Sequence, residues 1–272
     1  MSSTSSRRPL ALVTGASAGI GYEFAQLLAI NGFDLIATGR SEHTDQAATD
    51  LARHGTDLAR HGTDVIPVRA DLAQPEGVET VWRAVEEAGR PLDAAVLNAG
   101  RSIGGAFLDT DLDDELSLIQ LNVASVVHLA KHVARHMAGN GRGRILITSS
   151  VSATLPTPYE TVYGPSRAFT RMFALGLREE LKEHGVSVTC LMPGATDSNF
   201  HARAGMNNTA FGPSMKKNSR KDVARQGFLA LMNGHAEVVG GNAATKRTAI
   251  EHRFLPETYK AARHACKAKP RP

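Results

Sequence analysis

Short runs of apolar, mostly branched residues alternate along this chain with longer stretches in which apolar positions recur every three or four residues. The short runs favour strands and the longer stretches favour helices. The pattern predicts strands over Leu10–Thr14, Asp34–Thr38, Asp64–Arg69, Asp93–Asn98, Arg144–Ser149, Ser187–Met192 and Glu237–Val239. It predicts helices near residues 20–31, 42–54, 75–89, 112–138, 160–184 and 220–233.

This alternation of strands and helices indicates an α/β fold. Helical crossovers between parallel strands are right-handed and place helices on both faces of the sheet. Ligands of such sheets bind at the carboxyl ends of the strands. We predict a disordered tail over residues 1–8, one domain over residues 9–241 and a polar, basic C-terminal appendage over residues 242–272.

Composition narrows the possible function classes. Hydrophobic residues make up 42% and charged residues 21% of the 272 residues, as in a soluble globular protein. No apolar run approaches the roughly 18 residues of a membrane span. The segment Met1–Pro9 lacks the apolar stretch of a signal peptide. Because Cys190 and Cys266 are too few for a disulfide framework, we expect a cytoplasmic protein.

The net charge of +4 raises the question of an acidic partner, since basic residues cluster within 216–221 and 260–271. A basic tail of this kind is compatible with nucleic-acid binding, but also with a solvated helix end. The chain carries no aromatic-rich or recognition-helix signature, so we favour the solvated end and expect no nucleic-acid partner.

One heptad, Leu51–Asp57, is repeated unchanged as Leu58–Asp64. The repeated His54 and His61 are compatible with a metal site. Gly55 disfavours a continuous helix by about 1 kcal/mol relative to Ala. We interpret the repeat as a surface insertion between the second helix and the third strand, and we predict no metal site.

The segment Thr14–Gly21 is a glycine-rich turn between a predicted strand and a predicted helix. In this arrangement the backbone N–H groups at a helix N-terminus bind a pyrophosphate, and glycine lets the backbone approach it closely. Three residues separate Gly15 from Gly19, where the usual dinucleotide fingerprint has one. The turn therefore indicates a dinucleotide ligand but does not establish one.

Polar and small residues follow other predicted strands. Asn98–Gly100 ends the fourth strand, Ser150 ends the fifth, and Pro193–Ser198 follows the sixth. Tyr163 and Arg167 are four residues apart in a helical stretch, so their side chains share one face. These groups should therefore meet near the carboxyl edge of the sheet.

Together with the Thr14–Gly21 turn, Asp71 and Asn122, these residues resemble in order and spacing the short-chain dehydrogenase/reductase family, over roughly residues 8–240. The resemblance implies a single doubly wound Rossmann-type domain with a seven-stranded parallel sheet. It also implies hydride transfer between a nicotinamide and a small-molecule carbonyl or alcohol substrate.

By this resemblance, Tyr163 is the general acid in reduction and the base in oxidation, Ser150 holds the substrate oxygen, and Asn122 holds a water of a proton relay. Arg167 stands where the family normally has a lysine. Arginine keeps the charge but is effectively never deprotonated, so it cannot relay a proton. Two interpretations stay open: an active enzyme with Arg167 as an electrostatic substitute, or a catalytically impaired NADP-binding or redox-sensing protein.

The end of the second strand bears on the choice of cofactor. A carboxylate there favours NAD, and an arginine favours the 2′-phosphate of NADP. The chain has Arg40 and Ser41, so we predict NADP. The resemblance places Asp71 and Leu72 at the adenine. The predicted cofactor-binding residues are Gly15, Ser17, Ala18, Gly19, Ile20, Gly21, Arg40, Ser41, Asp71, Leu72, Asn98, Ala99, Gly100, Tyr163, Arg167, Pro193, Gly194, Thr196 and Ser198.

The substrate pocket is expected from Arg101–Ile103, Val151–Tyr159 and Asn199–Ser219. The last segment has the flexible composition of a lid, whose large apolar residues either face an apolar substrate or pack on the body of the protein. The family commonly pairs the helices equivalent to residues 112–138 and 160–184, so we expect a homodimer or a homotetramer.

Overall fold

The computed structural model describes residues 8–58 and 62–270. The strands are β1 (Leu10–Thr14), β2 (Asp34–Gly39), β3 (Val65–Arg69), β4 (Leu92–Leu97), β5 (Gly143–Thr148), β6 (Val186–Pro193) and β7 (Glu237–Gly240). The helices are α1 (Gly19–Ile30), α2 (His43–Leu58), α3 (Pro75–Glu87), α4 (Leu112–Ile119), α5 (Ser125–Gly139), α6 (Tyr163–Leu181), α7 (Phe200–Arg203), α8 (Arg220–Met232), α9 (Ala243–Glu251) and α10 (Glu257–Ala268).

The strands of the described residues form one parallel sheet in the order β3-β2-β1-β4-β5-β6-β7. The order reverses between β1 and β4, which is the point where a doubly wound sheet opens a crevice at its carboxyl edge. The predicted α/β class and the seven-stranded Rossmann-type sheet are confirmed. The ends of the strands differ from the predicted ends by a single residue at most.

Each face of the sheet has its own hydrophobic core. Leu10 and Leu12 of β1 pack on the face that α3, α5 and α6 cover, and the alternate residues Ala11 and Val13 pack on the face that α1 and α8 cover. Successive side chains of a strand point to opposite faces, so a strand buried on both sides reads as a continuous apolar run. This explains why the strands were the more accurately predicted elements.

Three predicted helices differ clearly from the structure, two of them in their bounds and one in its continuity. Helix α2 continues through Gly55 to Leu58, because a glycine inside a helix costs only about 1 kcal/mol. The interpretation of the repeat as a surface insertion falls in part on residues 59–61, which lie outside the described residues. Helix α6 begins at Tyr163 rather than at residue 160, since Pro165 lacks an N–H group and is tolerated in the first turn but not in the interior of a helix.

The predicted helix over residues 112–138 is interrupted in the structure. A π-helical turn, Gln120–Ala124, separates α4 from α5. It contains Asn122, whose side chain is fully buried and hydrogen-bonded to the neighbouring loop. Single π turns inside helices are frequently found at functional sites.

The chain beyond residue 242 forms α9 and α10, which the sequence pattern did not indicate. One side of α10 is buried through Lys260, His264 and Ala268. The backbone N–H of Ala210 donates to the carbonyl of Lys267, which joins the segment after α7 to α10. Among the described residues, no helix combines the length and apolarity needed to cross a bilayer.

Candidate active site

A cavity of about 960 Å³ lies at the carboxyl edge of the sheet. The ends of β1, β2, β4, β5 and β6 contribute to its walls, together with α7 and residues of α6 and α10. All the predicted catalytic and cofactor-binding residues line this cavity, except Gly21, Ser41 and Asn122. The topology therefore brings together groups that are far apart in the chain.

The glycine-rich turn between β1 and α1 forms one end of the cavity. Gly15 and Gly19 have φ of +68° and +62°, which glycine adopts without strain. A Cβ on Gly21 would overlap the carbonyl oxygen of Gly15, so Gly21 supports the turn from behind rather than lining the cavity. The Ala18 cap supplies no side-chain acceptor to the first N–H groups of α1. These donors and the close backbone fit a pyrophosphate.

The same turn is fixed to the end of β4. The Thr14 hydroxyl accepts hydrogen bonds from the backbone N–H groups of Asn98 (2.9 Å) and Ala99 (3.0 Å). The Asn98 side-chain amide donates to the carbonyl of Thr14 (3.2 Å). The cradle for the ligand is thus held in shape by contacts within the protein.

Arg40 follows β2 at the mouth of the cavity. Its side chain is 75% exposed, and its Nη1 lies 3.9 Å from an Asp71 carboxylate oxygen. Such a long, exposed ion pair contributes little stability, so Arg40 is free to bind an incoming anion. Ser41 does not line the cavity. Its backbone carbonyl accepts a hydrogen bond from the Thr44 hydroxyl.

Ser150 and Tyr163 both line the cavity. The Ser150 hydroxyl caps a short 3-10 turn, Val151–Thr154, by accepting from the Ser152 N–H at 3.0 Å. Its own proton faces only the Pro193 carbonyl, at 3.5 Å. This long contact leaves the hydroxyl able to donate to a ligand.

Arg167 is 3% exposed and lies below the ring of Tyr163. Its guanidinium carbon is 5.2 Å from the ring centroid, and its Nη1 donates to the Thr148 carbonyl at 3.0 Å. A Cβ on Gly100 would overlap the guanidinium, so the Gly100 position makes room for arginine. The buried Nε of Arg167 has no hydrogen-bond partner within the described protein. This cation is therefore held close to the tyrosine and retains an unused donor.

Asn122 lies behind the cavity wall rather than on it. Its amide oxygen accepts from the Arg101 N–H (3.0 Å), and its amide nitrogen donates to the Arg101 carbonyl (2.8 Å) and the Ser166 hydroxyl (3.0 Å). The side chain thus fixes the loop after β4 against α6. The relay role expected for Asn122 stays a prediction.

The substrate end of the cavity is covered by α7 and the turns that follow it. The ring of Phe200 contacts that of Tyr163, with centroids 5.6 Å apart. Phe211 also lines the cavity, whereas Met206 is buried against Ala268 of α10. The apolar residues of the predicted lid therefore divide between the two expected roles. Of the predicted lining segment Val151–Tyr159, only Ser152 reaches the cavity.

Sequence reasoning missed an ionisable pair in the cavity. Glu160 and His264 are both buried and face each other, with Nε2 of His264 3.4 Å from Oε2 of Glu160. Glu160 was read as the start of a helix, and His264 as part of a polar tail. Glu160 could have been found from its position three residues before Tyr163. No local sequence pattern indicates His264.

His201 on α7 also lines the cavity, and burial lowers the pKa of its imidazole. The negative charge of Glu160 acts in the opposite direction, and Lys217 acts in the same direction as burial. The imidazole is therefore neutral near pH 7 and offers one donor and one acceptor.

Comparisons with known proteins agree with this geometry. A family model for short chain dehydrogenase matches residues 9–208. An uncharacterized short-chain type dehydrogenase/reductase from Sinorhizobium fredii is 36% identical over 199 residues, 73% of this chain and 74% of the relative. A serine 3-dehydrogenase from Agrobacterium fabrum is 31% identical, over 73% of this chain and 77% of the relative.

Solved structures show the same likeness. The short-chain dehydrogenase from Sphingobium yanoikuyae in complex with NADPH superimposes with a TM-score of 0.79 and 26% identity, covering 90% of this chain and 93% of the other. The family match, the sheet order and the cavity at its carboxyl edge lead to one conclusion. The chain belongs to the short-chain dehydrogenase/reductase family of oxidoreductases, which act on CH–OH or C=O groups with a nicotinamide cofactor.

Proposed function

We propose that the protein is an NADP-dependent oxidoreductase that transfers a hydride between nicotinamide and a carbonyl or alcohol substrate, with Tyr163 as general acid in reduction and general base in oxidation. The observation that carries this proposal is the placement of Ser150, Tyr163 and Arg167 in the cavity that the glycine-rich turn opens. A proton donor, a hydroxyl for the substrate oxygen and a cation thus share one wall with the cofactor cradle.

A bound nicotinamide cofactor would supply or accept the hydride at the substrate carbon. Residues of the protein would bind the substrate oxygen and exchange a proton with it. In reduction, the Ser150 hydroxyl donates a hydrogen bond to the carbonyl oxygen, in place of its long contact with Pro193. Tyr163 transfers its phenolic proton to the same substrate oxygen, which would otherwise become an alkoxide. In oxidation, the Tyr163 phenolate takes the alcohol proton while the hydride leaves the carbon.

Arg167 supports both directions by its charge. Its guanidinium lies 5.2 Å from the centre of the Tyr163 ring and stabilises the phenolate form. The unused Nε donor of Arg167 suits a ribose hydroxyl of the cofactor. Since the guanidinium keeps its protons, the proton that restores Tyr163 must come by another route.

NADP is the proposed cofactor because of Arg40. Its exposed guanidinium stands beside the end of β2, with the carboxylate of Asp71 as a weak partner. Arginine forms bidentate hydrogen bonds with a phosphate, and a 2′-phosphate would compete well with this distant carboxylate. The NADPH complex of the Sphingobium relative supports the assignment.

The test is Tyr163→Phe, assayed with NADPH over a panel of ketones and aldehydes. We expect turnover to fall by about 10²-fold or more, because the proton donor is lost. Binding of NADPH, followed by its fluorescence, should stay within a few fold. The parent should bind NADPH at least about tenfold more tightly than NADH.

The matched control is Tyr259→Phe, which makes the same change at an exposed tyrosine of α10 and should leave turnover at the parent rate. Equal dissociation constants for NADPH and NADH would contradict the cofactor assignment. A Tyr163→Phe protein that works near the parent rate would contradict the assigned acid and base.

A second candidate is an NADP-binding or redox-sensing protein without turnover. One observation favours it: Arg167 donates a hydrogen bond to the Thr148 carbonyl in the cavity wall, and an arginine does not pass on a proton. In that case the parent would bind NADPH and reduce none of the carbonyl compounds, and Tyr163→Phe would change nothing.

A further inference from the structure

A buried carboxylate stands at the substrate end of the cavity, where the proposed reaction does not use it. Glu160 is 5% exposed, and its Oε1 accepts a hydrogen bond from the Ser102 hydroxyl at 2.7 Å. Its Oε2 lies 3.4 Å from Nε2 of His264. Burying a carboxylate is costly unless its oxygens have partners, so a carboxylate kept on a cavity wall calls for an explanation.

This carboxylate is connected to Tyr163 by a continuous row of rings. Phe200 contacts Tyr163 at 5.6 Å between centroids, and His201 contacts Phe200 at 5.7 Å. Phe211 stacks on His201 at 5.8 Å and contacts His264 at 5.5 Å. Every ring of this row belongs to a residue that lines the cavity. Glu160 itself lies one helical turn before Tyr163, since the Gly164 N–H donates to the Glu160 carbonyl at 3.3 Å, so a short substrate can reach both residues.

Two nitrogens of this region lack hydrogen bonds. Nδ1 of His201 and Nε2 of His264 are buried atoms without a hydrogen-bond partner among the described residues. The His264–Glu160 contact has the distance of an ion pair but not the geometry of a hydrogen bond. Buried polar atoms are paired in the large majority of cases, and leaving one unpaired costs about 1–3 kcal/mol. Since His201 and His264 both line the cavity, we infer that these nitrogens find their partners on a ligand.

We propose that Glu160, Ser102, His201 and His264 form a polar subsite that binds a hydroxyl or protonated amine of the substrate, a few bonds away from the carbonyl that is reduced. The inference rests on the proposed function, since it takes the wall beside Tyr163 as the place of the carbonyl. The substrate class is then a short carbonyl compound with a second polar group that donates hydrogen bonds.

The chemistry of the polar subsite selects a donor. The Glu160 carboxylate only accepts hydrogen bonds, and a neutral His201 imidazole has one acceptor nitrogen. A hydroxyl or an ammonium group satisfies both. A substrate carboxylate in the same place would face the charge of Glu160 in a buried setting, where like charges repel strongly. Unsubstituted ketones would leave the subsite without partners.

The test compares matched ketones: butan-2-one, 4-hydroxybutan-2-one, 4-aminobutan-2-one and 4-oxopentanoate. In the parent, kcat/KM for the hydroxy and amino ketones should exceed that for butan-2-one by at least about tenfold, the effect of one hydrogen bond to a charged group. The carboxylate compound should be the poorest substrate.

Two variants separate charge from hydrogen bonding. Glu160→Gln should abolish the preference for the amine and keep part of that for the hydroxyl, because the amide still accepts. Glu160→Leu should abolish both preferences. Glu179→Gln, on the exposed part of α6, is the matched control and should keep both. If Glu160→Leu does not fold, as judged by circular dichroism, Ser102→Ala should weaken both preferences by freeing the carboxylate.

The outcomes distinguish the two proposals. A parent that reduces all four ketones equally well, or prefers 4-oxopentanoate, overturns the polar subsite and leaves the proposed function intact. A parent that reduces none of them contradicts the proposed function. In that case the polar subsite is tested by the melting temperature of the protein with NADP⁺. Butane-1,3-diol should raise this temperature in the parent more than butan-2-ol does, and Glu160→Leu should lose that difference. An equal shift for both alcohols overturns it.

Discussion

At the scale of single residues, Arg167 is where this chain departs from the lysine that the resemblance to the family implies. The surroundings accommodate the guanidinium of Arg167. Gly100 leaves space for it, and the Thr148 carbonyl accepts a hydrogen bond from it. The charge remains beside Tyr163, but the ability to pass on a proton does not. Charge and proton relay can therefore be separated experimentally at this position.

Arg167→Met should lower kcat/KM for alcohol oxidation by about tenfold or more, because the variant removes the charge and the hydrogen-bond donors beside Tyr163. Arg167→Lys should keep or raise the rate. The measurement is the pH profile of kcat/KM for the parent and both variants. Arg135→Met, at an exposed position of α5, is the control. A methionine variant with the parent's rate and profile would remove Arg167 from the mechanism.

At the scale of elements, one buried lysine contributes to the attachment of α10 to the body of the protein. Lys260 is 4% exposed, and its ammonium donates to the carbonyls of Thr154 (3.0 Å) and His252 (3.1 Å) and to Glu257. These bonds join α10 to α9 and to the turn that follows Ser150. The position of His264 in the cavity depends on this attachment.

Lys260→Met should destabilise the protein by about 1–3 kcal/mol, because two buried carbonyl groups lose their donor. The free energy of unfolding in urea measures the loss. Lys267→Met changes an exposed lysine of the same helix and should have little effect. Equal stability of the two variants would show that the hydrogen bonds of Lys260 do not stabilise the attachment of α10.

At the scale of the whole molecule, apolar side chains remain exposed on two neighbouring helices. Leu112 and Leu116 of α4 are 67% and 50% exposed, and Phe169 and Met172 of α6 are 43% and 63% exposed. Large apolar side chains that stay exposed are typical of an interface between protein chains when they cluster. We infer a homo-oligomer, a dimer or a tetramer, that pairs these helices.

Met172→Glu should dissociate this assembly, since a charge at the centre of an apolar interface has no partner. Sedimentation velocity would follow the mass of the particles. Ile30→Glu, at the end of α1, places the same charge on another exposed apolar residue and should leave the assembly intact. A parent that sediments as a monomer at micromolar concentration would contradict the inference.

Local signals explain which parts of the molecule could be predicted. The buried strands read as apolar runs, and the glycine-rich turn stands between β1 and α1 in sequence order. Ser150 and Tyr163 were predicted from the resemblance to the family in order and spacing, and both line the cavity. The same local reasoning misplaced the start of α6 and missed α9 and α10, whose amphipathic patterns are short and strongly charged.

The sequence by itself determined the alternation of strands and helices, and with it the sheet and the edge where ligands bind. The reason is that the period with which apolar residues recur can be read from neighbouring positions in the chain. Only the tertiary structure decided how Arg167 lies against Gly100, that Asn122 turns away from the cavity, and that His264 meets Glu160 across 104 residues of chain. These contacts join elements distant in sequence, and their geometry follows from packing, which no local pattern encodes.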